Sequence, residues 1–138
     1  MIMNKRIEFR TQGNGQILDI TQQVKHQVQG TGLNDGIVIL FTPSSTSALT
    51  TIEYEPGAVH DLQQLFDRFA PVDLEYQHNL RWGDGNGYAH VRHALMGPSL
   101  SIPIVDGQLT LGTWQQIVYI DFDNRARSRS VVIQVLGE

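Results

Sequence analysis

The stretch "GIVILFTP" (36–43) decides the fold, because it is a continuous apolar run of strand length that a proline closes. A strand with one solvated face alternates apolar and polar residues, whereas an unbroken apolar run is typical of a strand covered on both faces. The segment therefore predicts a buried central strand. The rest of the chain is expected to supply the neighbours of this strand and the layers that cover it.

Further strands are predicted on both sides of this segment. "RIEFRT" (6–11) alternates with period two, and we expect a hairpin turn at 13–15 to join it to "QILDI" (16–20). "SLSIPIVDGQLTLG" (99–112) predicts a second hairpin around Asp106-Gly107, in which Pro103 indicates an edge position or a bulge. "QQIVYIDFD" (115–123) and "SRSVVIQVLGE" (128–138) predict two more strands near the C-terminus.

Three short helices are predicted. Residues 21–32 begin with Thr21 as a cap and carry two valines four apart, residues 56–71 place five apolar side chains on one stripe, and residues 87–97 lie between glycines. Strands outnumber helices and hairpins dominate. The sequence therefore predicts an α+β fold with a largely antiparallel sheet and short helices, built as one domain over residues 1–138.

Composition excludes several classes of function. The chain has no cysteine, which excludes disulfide scaffolds, thiolate zinc sites and cysteine nucleophiles. A net charge of −4 argues against an electrostatic grip on nucleic acid. For Arg125, Arg127 and Arg129, the exposed face of an edge strand is favoured over a contact with phosphate. No apolar run is long enough for a membrane span or a signal peptide, so we expect a soluble, cytoplasmic protein without a membrane partner.

The segment "HNLRWGDGNGYAH" (78–90) is the first candidate site, and its glycine content predicts neither a helix nor a strand for it. His78, Asp84 and His90 are expected to meet around a metal or a proton-transfer site if the loop folds back; the alternative is an ordinary long turn. The segment also leads into a predicted helix whose first N–H groups favour an anion. The candidate anion ligands here are Gly85, Asn86, Gly87 and Arg92.

Two other segments concentrate polar side chains. In "TPSSTSALTTIEYEPG" (42–57), Ser45 and Thr46 follow the central strand and either bind a ligand or hydrogen-bond their own turn. Glu53 is a candidate base or metal ligand, or it favours the start of the next helix. In "LGTWQQI" (111–117), Thr113 and Gln115 are candidate partners of a heterocycle, and Trp114 is expected in the core or in an interface.

The segments "STSALTTIEYEPG" (45–57), "WGDGNGYAHVRHALMGPSLSIPIVDGQLTLGTWQQI" (82–117) and "DFDNR…VIQVLGE" (121–138) together resemble the YjbQ-like family, also called the secondary thiamine-phosphate synthase family. The resemblance covers nearly the whole chain. It implies a compact α+β subunit with the YjbQ-like fold, assembled as a homotrimer with ligand sites near the subunit interfaces. A trimer would also account for the low charged fraction of 17%.

The resemblance implies a function for these residues. In thiamine-phosphate synthesis a phosphorylated thiazole alcohol displaces pyrophosphate from an aminopyrimidine methyl diphosphate, which needs anion donors and usually Mg²⁺. His90 would be a general acid/base or a metal ligand, Glu53 a base or ligand, and Ser45, Thr46 and Arg92 anion binders. The competing hypothesis is a non-catalytic trimer that binds a phosphorylated metabolite or a metal ion.

The chain departs from the family pattern at two positions. Many relatives carry a histidine before the Ser/Thr turn, then Asn-Glu, then two later histidines. The later pair corresponds to His78 and His90 and the acid to Glu53, but Ser44 stands in place of the first histidine and Ile52 in place of the asparagine. A divalent metal, Zn or Mg, would therefore rest on His78 and His90, with Asp84 or a water filling the vacancy, or no metal would bind.

Overall fold

The computed structural model, which describes residues 1–138, consists of eight strands in two antiparallel sheets and four helices. The strands are β1 (Ile2–Thr11), β2 (Gln16–Asp19), β3 (Gly36–Phe41), β4 (Ser47–Ile52), β5 (Ser99–Val105), β6 (Gln108–Leu109), β7 (Gln116–Asp121) and β8 (Arg127–Gly137). The helices are α1 (Thr21–Gln29), α2 (Pro56–Phe69), α3 (Gln77–Trp82) and α4 (Gly87–Met96). The predicted α+β class with an antiparallel sheet is confirmed.

The larger sheet has the order β1-β8-β3-β5-β6 and the smaller one the order β2-β7-β4. β3 lies in the middle of the larger sheet, where Val38 pairs with Val135 of β8 on one side and Ile102 of β5 on the other. Val38 and Leu40 are fully buried. The predicted central position of β3 is therefore confirmed. The expected cover on both faces is wrong for the single chain, since Ile37 and Ile39 are only half-buried and Phe41 is 43% exposed.

The two sheets and the helices bury two apolar clusters, one on each side of β7. Ile117 and Tyr119 point into the cluster between the two sheets, where the valines of α1 also pack. Val118 and Ile120 point to the opposite side, into a cluster that α2 and α4 complete. Because side chains alternate along a strand, β7 can serve both layers. The smaller sheet thus packs against α4 and fixes its position.

The predicted helices at 56–71 and 87–97 are confirmed, with ends within two residues of α2 and α4. Three expectations about local structure are wrong. Thr21 is the first residue of α1 rather than its cap: its hydroxyl accepts from the Ile117 amide, and Asp19 accepts from the Thr21 amide. Residues 77–82 form α3, although a helix was excluded for that segment. The helix ends at Gly83, which takes the left-handed conformation.

The third error concerns strand pairing near the N-terminus. The turn at 13–15 does not join a hairpin, since β1 pairs with β8 and β2 pairs with β7 in the other sheet. This turn passes close to the chain at Asp123 and Arg125: a Cβ on Gly13 would lie 2.6 Å from the first carbonyl oxygen and 2.5 Å from the second. A glycine with positive φ is needed there.

The interpretation of Arg127 and Arg129 as residues of an edge strand is also wrong, because β8 lies between β1 and β3. The hairpin at Asp106-Gly107 is confirmed, joining β5 to the two-residue β6. None of the four helices combines the length and the apolar character that crossing a bilayer would need.

Candidate functional site

His78, Asp84 and His90 form one cluster, although they lie on three different segments. His78 belongs to α3, Asp84 to the turn after it, and His90 to the first part of α4. One nitrogen or oxygen of each side chain lies within 4.8 Å of the others. The two imidazole rings are 4.4 Å apart between centroids and tilted by 43°. The structure therefore brings together the three residues that the sequence selected around the glycine-rich turn.

The turn between α3 and α4 is held by short-range contacts. The Asn79 side chain accepts a hydrogen bond from the Gly87 amide at 2.8 Å, which ties α3 to the start of α4. A Cβ on Gly87 would lie 2.5 Å from the Cβ of Tyr76, so only glycine allows this close approach. The Asp84 carboxylate accepts from the Asn86 amide at 3.2 Å. These contacts fix the relative position of both histidines and orient the acid.

The imidazole of His78 has an unsatisfied nitrogen. Its Nδ1 is buried and makes no hydrogen bond, although the Asp84 Oδ1 is only 3.3 Å away. A buried polar atom without a partner is costly, and such an atom in a native site calls for an explanation. Two electron-rich atoms that approach each other without hydrogen-bond alignment are well placed to share a third, positively charged partner.

The donor set fits a transition metal. Two imidazoles and one carboxylate are typical ligands of Zn²⁺, whose catalytic sites keep a further position open for water or substrate. Ligand atoms around a tetrahedral Zn²⁺ lie roughly 3.4 Å apart, given bonds of about 2.0–2.1 Å. The His78–Asp84 separation of 3.3 Å matches this value. Mg²⁺ prefers an all-oxygen shell and is therefore disfavoured.

Arg92, which we expected to bind an anion, lies on the other side of α4. Its guanidinium is buried, donates twice to the Ala70 carbonyl at 2.9 and 3.0 Å, and pairs with Asp67 at 3.3 Å. It also stacks over the rings of Phe66 and Tyr88. Arg92 thus holds the C-terminal end of α2 to α4 and does not face the histidine cluster.

The amides at the start of α4 are also partly occupied. Asp84 accepts from the Asn86 amide and Asn79 accepts from the Gly87 amide, so protein groups take the place that an anion was expected to fill. Asn86 is buried, and its side-chain oxygen accepts from the Asn124 amide. Gly85 has a positive φ of 69° and is needed for the turn itself.

The hydroxyl groups of the turn after β3 mainly form hydrogen bonds within the protein. Thr46 is buried and lies between two charged groups, donating to Asp123 at 3.0 Å and accepting from Arg129 at 2.7 Å. Ser44 accepts from the Thr46 amide at 3.2 Å. The side chain of Ser45 is exposed and is the one predicted ligand of this turn that faces solvent.

Sequence reasoning missed a buried ionic network at the end of β7. Arg129 binds the fully buried Asp121 through two hydrogen bonds of 2.7 and 2.9 Å. The next acid, Asp123, pairs with Arg127 at 3.2 Å. Burial alone would raise the pKa of Asp123, but hydrogen bonds from Asn86, Thr46 and Arg127 and the charge of Arg127 lower its pKa overall. The alternating acids and arginines of "DFDNRARSR" (121–129) were the available signal.

The remaining predicted residues lie outside the histidine cluster. Glu53 is exposed and contributes no ligand atom to it, whereas the neighbouring Glu55 caps α2 through the amides of Gly57 and Ala58. Gln115 donates to the Thr51 hydroxyl at 3.0 Å. Thr113 is exposed, and Trp114 is 71% exposed, so Trp114 lies outside the core of the single chain and its expected place in an interface stays a prediction.

Comparison with known proteins gives a consistent result. A family model described as "UPF0047 protein YjbQ-like" matches residues 5–138. A UPF0047 protein of Archaeoglobus fulgidus is 35% identical over 130 residues, covering 94% of this chain and 98% of that protein. The UPF0047 protein YugU of Bacillus subtilis is 30% identical over 136 residues, covering 98% and 100%.

Solved structures agree with the sequence relatives. A YbjQ-like protein of unknown function from Sulfolobus solfataricus superposes with a TM-score of 0.91 at 28% identity, covering all of both chains. An uncharacterized conserved protein of the yjbq/upf0047 family from Clostridium acetobutylicum gives a TM-score of 0.88 at 34% identity, covering 96% of this chain and 99% of that one.

Proposed function

The chain belongs to the YjbQ-like UPF0047 family, and we propose that it holds a divalent metal ion, Zn²⁺ by its donor set, between His78, Asp84 and His90 and there binds a phosphorylated small molecule. The observation that carries this proposal is the convergence of three potential ligand atoms within 4.8 Å, one of them a buried imidazole nitrogen without a hydrogen-bond partner. The metal ion of this proposal rests on the chemistry of this cluster, and the phosphorylated ligand rests on the family resemblance.

The residues of this chain supply the two histidines and the acid that would hold the ion. When bound, a divalent cation polarises a phosphoryl oxygen and offsets charge on a leaving phosphate. Asn79 and Asn86 hold α3, the turn and α4 in fixed relative positions, which keeps the three ligand side chains together. The carboxylate of Asp84 is exposed, which leaves the cluster open to a ligand from solvent.

Thiamine-phosphate synthesis is the candidate reaction, and the family resemblance is its support. The attacking alcohol and the departing pyrophosphate both belong to phosphorylated molecules, so the reaction demands anion binding and orientation rather than a protein nucleophile. His90 would move the alcohol proton if it is not a metal ligand. Ser45, whose side chain is exposed, would bind the anion.

A non-catalytic role is the second candidate, and the placement of three residues favours it. Arg92 and Thr46, both expected to bind phosphate, are used inside the protein, and Glu53 contributes nothing to the histidine cluster. A protein that only binds a metal ion and a phosphorylated metabolite needs no general base. The two candidates therefore differ in turnover rather than in binding.

We also propose that the chain assembles as a homotrimer. Large apolar side chains are exposed along the segment from α2 to α3, namely Leu65, Phe69, Val72, Leu74, Leu80 and Trp82, and Trp114 is exposed elsewhere. Exposed apolar groups of this kind mark association surfaces. Light scattering coupled to size exclusion should give three times the mass of the 15.5 kDa chain; a monomer would contradict the assembly.

The activity is tested with metal-loaded protein and the two phosphorylated substrates in excess. Formation of thiamine phosphate should fall by at least about 10²-fold in His90→Ala, because the variant would lose one of the three ligands of an ion whose charge stabilisation is worth several kcal/mol. His60→Ala is the matched control, since His60 is an exposed histidine on α2 outside the cluster. Equal rates in wild type and His90→Ala would remove the cluster from the reaction. Metal and phosphate binding without turnover would support the non-catalytic role.

A further inference from the structure

We propose that the depression between the 84–86 turn and the 124–127 loop is the subsite for the phosphate group of the ligand, with Arg125 and Arg127 as its cationic partners. The depression has a volume of about 290 Å³ and is lined by Asp84, Asn86, Asn124, Arg125 and Arg127, none of them apolar. Asp84 belongs both to this depression and to the histidine cluster, so the inference deepens the proposed function and rests on it.

The walls of the depression are fixed before any ligand arrives. The Asn124 amide donates to the Asn86 side chain at 3.0 Å, and the Asn124 side chain donates to the Asp84 carbonyl at 2.7 Å. Below them, Asp123 accepts from the Arg125 amide at 3.3 Å and pairs with Arg127 at 3.2 Å. Because these contacts join both segments, binding an anion here needs little loop ordering.

The two arginines differ in how their guanidinium groups are paired. Arg125 is exposed and pairs with no carboxylate, so its guanidinium can turn to a ligand. Arg127 is held on one side by Asp123, but its Nε is buried and has no hydrogen-bond partner. A buried N–H of a charged group is costly to leave without an acceptor, and phosphate oxygens match the donors of a guanidinium well. Arg127 lines the depression, so its guanidinium is the second cation available to a phosphate there.

Local charge makes binding of the anion depend on the metal ion. The carboxylates of Asp84 and Asp123 offset the two arginines, so without the metal ion the depression has little net charge. A divalent cation bound to Asp84 would make the net charge of the depression positive. Coupling between two sites is reciprocal, so phosphate should also tighten metal binding by the same factor, in the usual range of about 5- to 150-fold.

The test is calorimetric titration of inorganic phosphate and of pyrophosphate into protein with and without one equivalent of Zn²⁺. Arg125→Ala should weaken phosphate binding by about tenfold while the metal content stays unchanged, because the side chain takes no part in folding contacts. Arg127→Lys keeps a cation for Asp123 and should also weaken binding. The matched control is Arg81→Ala, an exposed arginine of α3 outside the depression, which should bind phosphate as wild type does.

The outcomes separate the subsite from the metal centre. If metal-loaded wild type binds no phosphate, or if Arg125→Ala binds it as tightly as wild type, the subsite is wrong even where the metal is held. If phosphate binds in an Arg125-dependent way but the protein holds no metal ion, the subsite stands and the proposed metal centre falls. Circular dichroism of Arg127→Lys shows whether its loss of binding reflects unfolding; Arg125→Ala decides the matter in either case.

Discussion

Replacing Arg129 with methionine should destabilise the protein by about 3–5 kcal/mol, the usual loss when one partner of a buried ion pair is removed. Asp121 is fully buried, and the side chain of Arg129 is only 12% exposed. The substitution keeps much of the apolar volume but removes two hydrogen bonds of 2.7 and 2.9 Å from the carboxylate. Asp121 would then hold a charge that no cation balances.

The magnitude follows from the geometry rather than from the attraction between the two charges. The carboxylate keeps hydrogen bonds from Thr11 and from the Asp123 amide, so it is not wholly unsatisfied. The Thr46 hydroxyl loses its donor Arg129 as well. Both effects concern groups out of contact with water. We therefore expect a loss of stability within the stated range, well above the value of about 0–1 kcal/mol that is typical of a surface ion pair.

Urea denaturation followed by far-UV circular dichroism measures this loss. With a slope of about 2 kcal/mol/M, the midpoint should fall by about 1.5–2.5 M. Arg10→Met is the matched control, because Arg10 is an exposed arginine of β1 whose hydrogen bond to Ser128 spans 3.4 Å; its effect should stay within about 0.5 kcal/mol.

A second variant shows whether unpaired charge is the cause. Arg129→Met combined with Asp121→Asn removes both charges and should be more stable than Arg129→Met alone. A loss below about 1 kcal/mol in the single variant, or a double variant less stable than the single one, would refute the reasoning.

The remaining predictions concern the turn before α4 and acid stability. Gly87→Ala should cost about 1–3 kcal/mol in urea, because the new Cβ would lie 2.5 Å from the Cβ of Tyr76. Gly30→Ala, at a helix end with ordinary φ and with a Cβ that would make ordinary contacts of 3.4 and 3.6 Å, should instead gain about 0.4–1 kcal/mol. The pKa of Asp123 is lowered in the folded protein, so its contribution to stability is present above the ordinary carboxyl value of 3.8 and is lost as the pH falls below it. Asp123→Asn should accordingly flatten the pH dependence of unfolding free energy below about pH 4, and an unchanged slope there would contradict this.

The elements that local patterns predict are those whose burial is set by their own residues. The apolar run of β3 and the stripe of α2 carry their periodicity within one segment, and both were predicted. The false hairpin at 13–15 shows the limit, because the partners of β1 and β2 lie about 100 residues or more away in β8 and β7. α3 escaped prediction because it is only six residues long and has no buried side chain.

The candidate site shows the same division. The meeting of His78, Asp84 and His90 was predictable because one short segment carries all three and its glycines let the chain turn back. The positions of Arg92 and Thr46 were not, since the groups that hold them, the Ala70 carbonyl and Asp123, are remote in sequence. An arginine or a hydroxyl near a candidate site is free to bind a ligand only when it does not already donate a hydrogen bond to a buried acceptor.

Metal binding by the purified protein tests the central claim most directly. After removal of bound metal with a chelator, Co²⁺ titration followed by visible absorption should show one ion per chain with nitrogen ligation. His60→Ala should behave as wild type does, whereas His78→Ala and Asp84→Asn should lose the signal or bind at least about tenfold more weakly. Co²⁺ binding in His78→Ala with the stoichiometry, affinity and spectrum of wild type would contradict the account.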